Sequence, residues 1–249
     1  TGVQTGALPI YTARAYGEAE AVLATAKAPG EFDIITKCPA LVNDDDTAAA
    51  AVEAAFEASC TALGVDHVHG YLLHNSRDLA RPGVWAVLEG LIRSKRVTGV
   101  GVSGYDVAEV AALAEQFPIT LTQLPANVLD PWFLSSPLPH RIEVHVRSAF
   151  LQGFLLRDPN ALPDQFASFR ETLHDFQAQA AAHDLTPLQA ALAPLLSSPN
   201  IAQVVVGVET LAQLDDILAA AKVAAARPDV RFAPFPGVTP DLTDPRRWK

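Results

Sequence analysis

The chain has 249 residues, is 49% hydrophobic and carries a formal net charge of −10. That length suits one or two domains with a sizeable core, and the acidic balance argues against nucleic acid and anionic membrane as partners, because both are bound by basic surfaces. Two cysteines, Cys38 and Cys60, are too few for a disulfide scaffold and point to a reducing, cytoplasmic compartment; the apolar runs are too short or too interrupted to cross a bilayer, and no basic stretch leads into an apolar run at the N-terminus as in a signal peptide.

Short β-branched runs alternate with alanine-rich amphipathic ones along the whole chain. Residues 1–7 (TGVQTGA) make a poor strand. A first strand is expected at 8–13 and a helix at 17–26, then a strand at 32–37. Asp44 to Asp46 complement the positive end of a helix expected over 47–63. Strands at 68–74 and 97–103 flank a helix at 82–95, and Asp106 is placed to cap a helix running to 116. Further strands are expected at 119–124, 142–148 and 203–207, and further helices at 164–183, 187–196 and 210–225. The strands are apolar without strict alternation, and helices separate them, which means parallel strands covered by helices. No Gly-x-Gly-x-x-Gly follows an early strand, which counts against a classical dinucleotide fold. Regular β-α repetition without a linker predicts a (β/α)8 TIM-type barrel occupying residues 1–249 as one domain, with 227–249 as its C-terminal tail. Only seven convincing strands are present, so the barrel is expected to be incomplete at its first strand and helix.

In such a barrel the chemistry sits at the carboxyl ends of the strands. There the sequence places Tyr16, Lys37 and His74 after three successive strands, followed by Ser103, Gln123 and Arg147. A tyrosine with a reference pKa of about 10 gives up its proton poorly at neutral pH, and a neighbouring ammonium favours its phenolate. Taken singly, a lysine at a strand end is more often solvated and a loop tyrosine more often packs; three proton-handling residues at consecutive strand ends are hard to assign to chance.

These segments resemble the aldo-keto reductases from about residue 10 onward. "YTARAYG" matches the family's Asp-Thr-Ala-x-x-Tyr-Gly except at its first residue. "IITKCP", "YLLHN", "GVGVSGY", "TQLPANVLD", "VRSAFLQGFLL" and "VVVGVETLAQLDDIL" resemble its later segments in order and spacing. "HVRSAFLQGFLL" and the terminal "DPRRW" look closest to a bacterial branch associated with sugar metabolism. The resemblance implies NAD(P)H-dependent reduction of an aldehyde or ketone, sugar-like substrates included, by a cytoplasmic enzyme. It implies Tyr16 as general acid, Lys37 as the partner that lowers its pKa, and His74 as the residue that orients the carbonyl. Ser103 and Gln123 would hold the nicotinamide carboxamide. Ser148, Phe150 and Gly153 would lie along the pyrophosphate of NADPH or NADH, with Arg147 where an aromatic residue often stacks on the nicotinamide. Val208, Gln213 and Asp216 would sit by the adenosine end. Glu209, Asp215 and Asp216, with no Arg or Lys among them, should disfavour a 2′-phosphate and so favour NADH.

The chain departs from the family pattern in two places. Tyr11 stands where the family has an aspartate that pairs with the lysine, and the family's first strand and helix have no counterpart. Residues 1–10, a partner chain in a homo-oligomer, or an open barrel would each resolve the second departure. Both departures keep other readings open: a catalytically impaired barrel that binds without reducing, or a cofactor-independent isomerase or lyase using the same three residues. Metal chemistry at "HVH" (67–69) is weaker, because those histidines open their strand about 17–23 Å from His74 at about 3.3 Å per residue. "GVSGY" lacks the second glycine of a hydrolase nucleophile elbow.

Overall fold

The structure, a computed structural model, describes residues 8–42 and 44–248. The expectation for residues 1–7 lies outside them. The chain divides into two compact units, one made of the residues up to 124 plus 137–144, the other of 125–136 plus those from 145 onward.

In the first unit, β1 (Pro9–Tyr11), β2 (Asp33–Cys38), β3 (Val68–Leu73), β4 (Val97–Ser103) and β5 (Leu121–Pro125) are parallel neighbours in chain order. The helices α1 (Ala19–Thr25), α2 (Asp45–Leu63), α3 (Val84–Arg93) and α4 (Val107–Gln116) alternate with them. Each strand was expected within a few residues of where it lies. The register fixes which side chains share a face: Tyr11 lies opposite Ile35, Lys37 opposite Leu72, Gly101 opposite Leu121 and Ser103 opposite Gln123. Ile35, Leu72 and Leu121 are buried together on that face with Tyr11 packed against them, each aliphatic side chain contributing about 1.5–3 kcal/mol by leaving water. Leu121 also explains two glycines on its neighbours. A Cβ on Gly70 would lie 2.6 Å from Leu121 Cδ2, and one on Gly101 would run into the Leu121 carbonyl oxygen. On the opposite face Tyr71, from β3, stacks edge-on against Phe56 of α2 at 5.0 Å and donates to the Val52 carbonyl.

Helix ends follow their capping residues. Asp106 accepts from the Ala108 N–H at 2.8 Å and opens α4, a bond type whose removal costs about 1 kcal/mol. Gly64, in the left-handed region at φ 69°, closes α2.

The second unit contains β7 (Gln203–Val204), paired in parallel with β6 (Glu143–Arg147) through His145 and Val146. Its helices are α5 (Arg170–Ala182), α6 (Pro187–Leu196) and α7 (Leu211–Ala225). Thr186 and Gln189 form a reciprocal capping box at the start of α6, with Pro187 at the first helical position, where its missing N–H costs nothing. The core gathers Phe154, Phe166, Leu173, Phe176, Leu192 and Ala224. The tail expected over 227–249 is ordered across its described part. Val230 and Leu242 are buried, Phe232 and Phe235 each lie 6.1 Å from Phe176, and the Trp248 ring meets Phe166 edge-on at 4.8 Å. The expected helix over 164–183 begins as a 3-10 turn, Asp164–Phe169, and becomes α-helical at Arg170.

Candidate active site

Parallel pairing brings the carboxyl ends of β1 to β5 to one edge of the first unit, so the residues predicted there come together. Lys37 closes β2 on the face that carries Ile35 and, across the ladder, Leu72. It is 2% exposed. Tyr16 sits in the turn after β1, where its N–H bonds the Ala13 carbonyl at 2.9 Å and its own carbonyl accepts from the Ala19 N–H at 3.2 Å. Gly17, at φ 59°, gives that turn its left-handed step. Lys37 Nζ lies 3.3 Å from the Tyr16 hydroxyl, within hydrogen-bond reach, and 5.2 Å from the centre of its ring. His74 follows β3, its N–H extending the ladder to the Cys38 carbonyl at 3.0 Å, and its imidazole meets the Tyr16 ring edge-on at 5.9 Å between centres. Tyr16 itself is 50% exposed. A phenol open to a ligand thus rests against a buried ammonium and beside an imidazole, an arrangement suited to passing a proton to an oxygen on a bound molecule.

Tyr11, in the position where the family resemblance puts an aspartate, turns its ring toward the same ammonium, 5.5 Å from Lys37 Nζ to the ring centre. Ser103 and Gln123 face each other across β4 and β5, Ser103 Oγ donating to Gln123 Oε1 at 3.3 Å. Both are buried.

One supporting group was not anticipated from the sequence. Glu20 on α1 is 1% exposed, and its carboxylate accepts from Thr36 Oγ1 at 2.7 Å and from Arg14 at 3.1 Å. It ties α1 to β2 and brackets the turn that carries Tyr16. The signal was available in the acidic "GEAE", but an acid in the first turn of a helix reads first as a dipole-complementing surface charge.

Cys38, one residue beyond Lys37, points to the opposite face beside Tyr71, and burial pushes its thiol up to about 11. Cys60 is raised by the same cause, and both thiols are free. The two histidines of "HVH" have other neighbours: His67 Nε2 lies 3.2 Å from Thr98 Oγ1, and His69 Nδ1 lies 3.6 Å from Asp33 Oδ2. No group of three or more His, Cys, Asp or Glu side chains among the described residues is disposed to hold a metal, and no helix there is long and apolar enough to cross a membrane.

The second unit carries the remaining predicted residues. Arg147 ends β6, its guanidinium 3.4 Å from Ser148 Oγ. Ser148, Leu151, Gln152 and Gly153 all have positive φ, between 46° and 83°. Such a loop folds tightly and presents its backbone at close range, which suits a phosphate. Phe150 packs at the margin of the apolar core. Thr210 caps α7 by accepting from the Gln213 N–H at 3.2 Å, and Gln213 Oε1 accepts from the Glu209 N–H at 2.8 Å. Val208, Gln213 and Asp216 are exposed around that helix start. A cavity of about 740 Å³ in this unit, lined by Phe133, Pro194, Asn200, Phe232 and Phe235 among others, includes none of the predicted site residues.

Taken unit by unit, the residues present have the chemistry that parts of a dinucleotide need. The buried Ser103–Gln123 pair offers the donor and acceptor that a carboxamide needs, the loop at 148–153 and the capped start of α7 suit phosphate oxygens, and the Tyr16 hydroxyl is positioned to act as an acid.

Comparison with known proteins bears on family and fold. The Aldo/keto reductase family model matches residues 3–230. The holo form of the aldo-keto reductase AKR11C1 from Bacillus halodurans superposes with a TM-score of 0.70 at 18% identity, covering 92% of this chain and 84% of that one. Its apo form gives 0.69 at 18% identity over 92% and 83%. That likeness shows the (β/α)8 barrel fold expected from the sequence. No curated protein matches the chain.

Proposed function

The chain belongs to the aldo-keto reductase family, and from that premise we propose that it reduces an aldehyde or ketone with NAD(P)H, Tyr16 serving as the general acid. The 3.3 Å contact between Lys37 Nζ and the Tyr16 hydroxyl carries this reading. When bound, the reduced nicotinamide supplies a hydride to the carbonyl carbon. Tyr16 gives its hydroxyl proton to the carbonyl oxygen as negative charge develops there. The Lys37 ammonium stabilises the phenolate left behind. His74 orients the carbonyl, and Ser103 and Gln123 hold the carboxamide. Ser148, Phe150 and Gly153 would hold the pyrophosphate, Arg147 would lie against the nicotinamide where an aromatic residue often stacks, and Val208, Gln213 and Asp216 would flank the adenosine. Glu209, Asp215 and Asp216 favour NADH over NADPH. Two free, buried thiols support a reducing, cytoplasmic setting.

The test is NAD(P)H oxidation against a panel of aldehydes and sugars, with Tyr16→Phe beside the parent. Loss of a general acid is expected to lower kcat by about 10²–10⁴-fold while leaving cofactor affinity within about twofold. Full activity in Tyr16→Phe would remove Tyr16 from its role. The competing reading, a barrel that binds without reducing, is motivated by Tyr11 at the family's acidic position; it predicts thermal stabilisation by NADH or NADPH with no turnover of any carbonyl.

A further inference from the structure

Position 11 is where this chain breaks the motif it otherwise follows, and the geometry gives that residue a role. Tyr11 lies opposite Ile35 in the β1–β2 ladder, and Lys37 stands two residues further along the same face. Two strand residues span about 6.6 Å at 3.3 Å each, so a long side chain at position 11 reaches the lysine's ammonium while its stem lies on the layer formed by Ile35, Leu72 and Leu121. Lys37 Nζ is 5.5 Å from the centre of the Tyr11 ring, 5.2 Å from that of Tyr16 and 3.3 Å from the Tyr16 hydroxyl. An ammonium 2% exposed needs negative potential around it. The face of an aromatic ring supplies this without carrying a net charge, and does so more strongly away from water.

We propose that Tyr11 is a positioning residue, its ring face holding the Lys37 ammonium against the Tyr16 hydroxyl in place of the family's carboxylate. The catalytic consequence rests on the reductase reading above. A carboxylate would hold the ammonium by drawing its positive charge toward a point. A ring holds it by a diffuse field and brings no formal negative charge of its own to compete with the phenolate of Tyr16 when the proton leaves. The apolar layer beneath keeps the ring from swinging aside.

The experiment compares Tyr11→Leu, which keeps apolar bulk and loses the ring, with Tyr11→Phe, which keeps the ring and loses the hydroxyl. The first measurement is the ¹H–¹³C resonance of the Lys37 ε-methylene, assigned through its disappearance in Lys37→Arg. It is expected upfield, under aromatic ring current, in the parent and in Tyr11→Phe, and displaced toward the ordinary lysine position in Tyr11→Leu. The second is steady-state kinetics. Tyr11→Leu is expected to lose about tenfold in kcat with KM little changed, and Tyr11→Phe to recover most of that loss. An unmoved Lys37 resonance in Tyr11→Leu, or a loss in Tyr11→Phe as large as that in Tyr11→Leu, would overturn the proposal. Should Tyr11→Leu fail to fold, fluorinated phenylalanines at position 11 replace it, since they keep the shape and drain the ring's negative face; kcat should then fall with each added fluorine, and a flat series overturns the proposal. If the parent turns over no carbonyl, the reductase reading fails by itself, while the resonance still decides whether the ring holds the lysine.

Discussion

The two units present their candidate site residues by different means. In the first, every residue hangs from the end of a parallel strand or the turn after it, and its direction follows from register: Ser103 beside Gln123, Lys37 beside Leu72. In the second, the candidates lie on the loop at 148–153, with its four left-handed residues, and around the exposed start of α7. The first unit therefore offers side chains with fixed reach, an exposed Tyr16 hydroxyl backed by a buried Lys37, suited to handling a proton. The second offers backbone and a helix terminus, suited to holding an anion of variable pose. Substitutions in the first should act on rate, and substitutions in the second on affinity and cofactor choice.

The largest expected effect is the fall of about 10²–10⁴-fold in kcat for Tyr16→Phe; an equal loss from Gln213→Ala would erase the contrast. His145, buried beneath the end of β6, comes next. Burial lowers its pKa from 6.5 to about 4. Above 6.5 both folded and unfolded states hold it neutral. As pH falls from 6.5 toward 4 the unfolded chain takes up a proton that the folded chain refuses, so stability is lost across that window and the loss levels off below it. The ceiling is about 3 kcal/mol. Urea unfolding at pH 7 and pH 4 should show a smaller drop in His145→Asn than in the parent; identical drops would exclude His145 as the cause. Gly101→Ala, which drives a methyl into the Leu121 carbonyl, should destabilise by about 1–3 kcal/mol, read as a lowered Tm, and an unchanged Tm would show that the ladder gives way there. Asp216→Arg should improve NADPH over NADH by about tenfold in fluorescence titrations without altering kcat, which would sharpen the assignment of the second unit to cofactor choice. The smallest effect is at Thr12, whose hydroxyl is buried without a hydrogen-bond partner among the described residues. Thr12→Val should be neutral or stabilising by about 1 kcal/mol, whereas a clear destabilisation would mean that the hydroxyl is satisfied in solution.

Much of the first unit was legible because a parallel strand declares itself twice, by its β-branched run and by the helix that must follow it. All seven expected strands are present, but β7 forms a ladder over Gln203–Val204 alone where 203–207 was expected. Composition announces an extended segment; only the neighbouring backbone decides how much of it pairs. That Lys37, Tyr16 and His74 would lie near one another could be read because strand ends are places known in advance. Glu20 could not, since its burial depends on Thr36 and Arg14 reaching it from outside its own helix. The loop at 148–153 was legible only as a resemblance: three of its four left-handed residues are Ser148, Leu151 and Gln152, and none announces that conformation as glycine does.

The edge-on packing of Trp248 on Phe166, with its indole N–H turned to the carbonyls of Asp241 and Leu242, has an optical consequence. An indole held in that setting emits at shorter wavelength than one in water. Fluorescence from this one ring therefore reports whether the tail is seated, and with Trp85 and Trp132 replaced by phenylalanine it becomes a single-site clock for the tail's departure during unfolding.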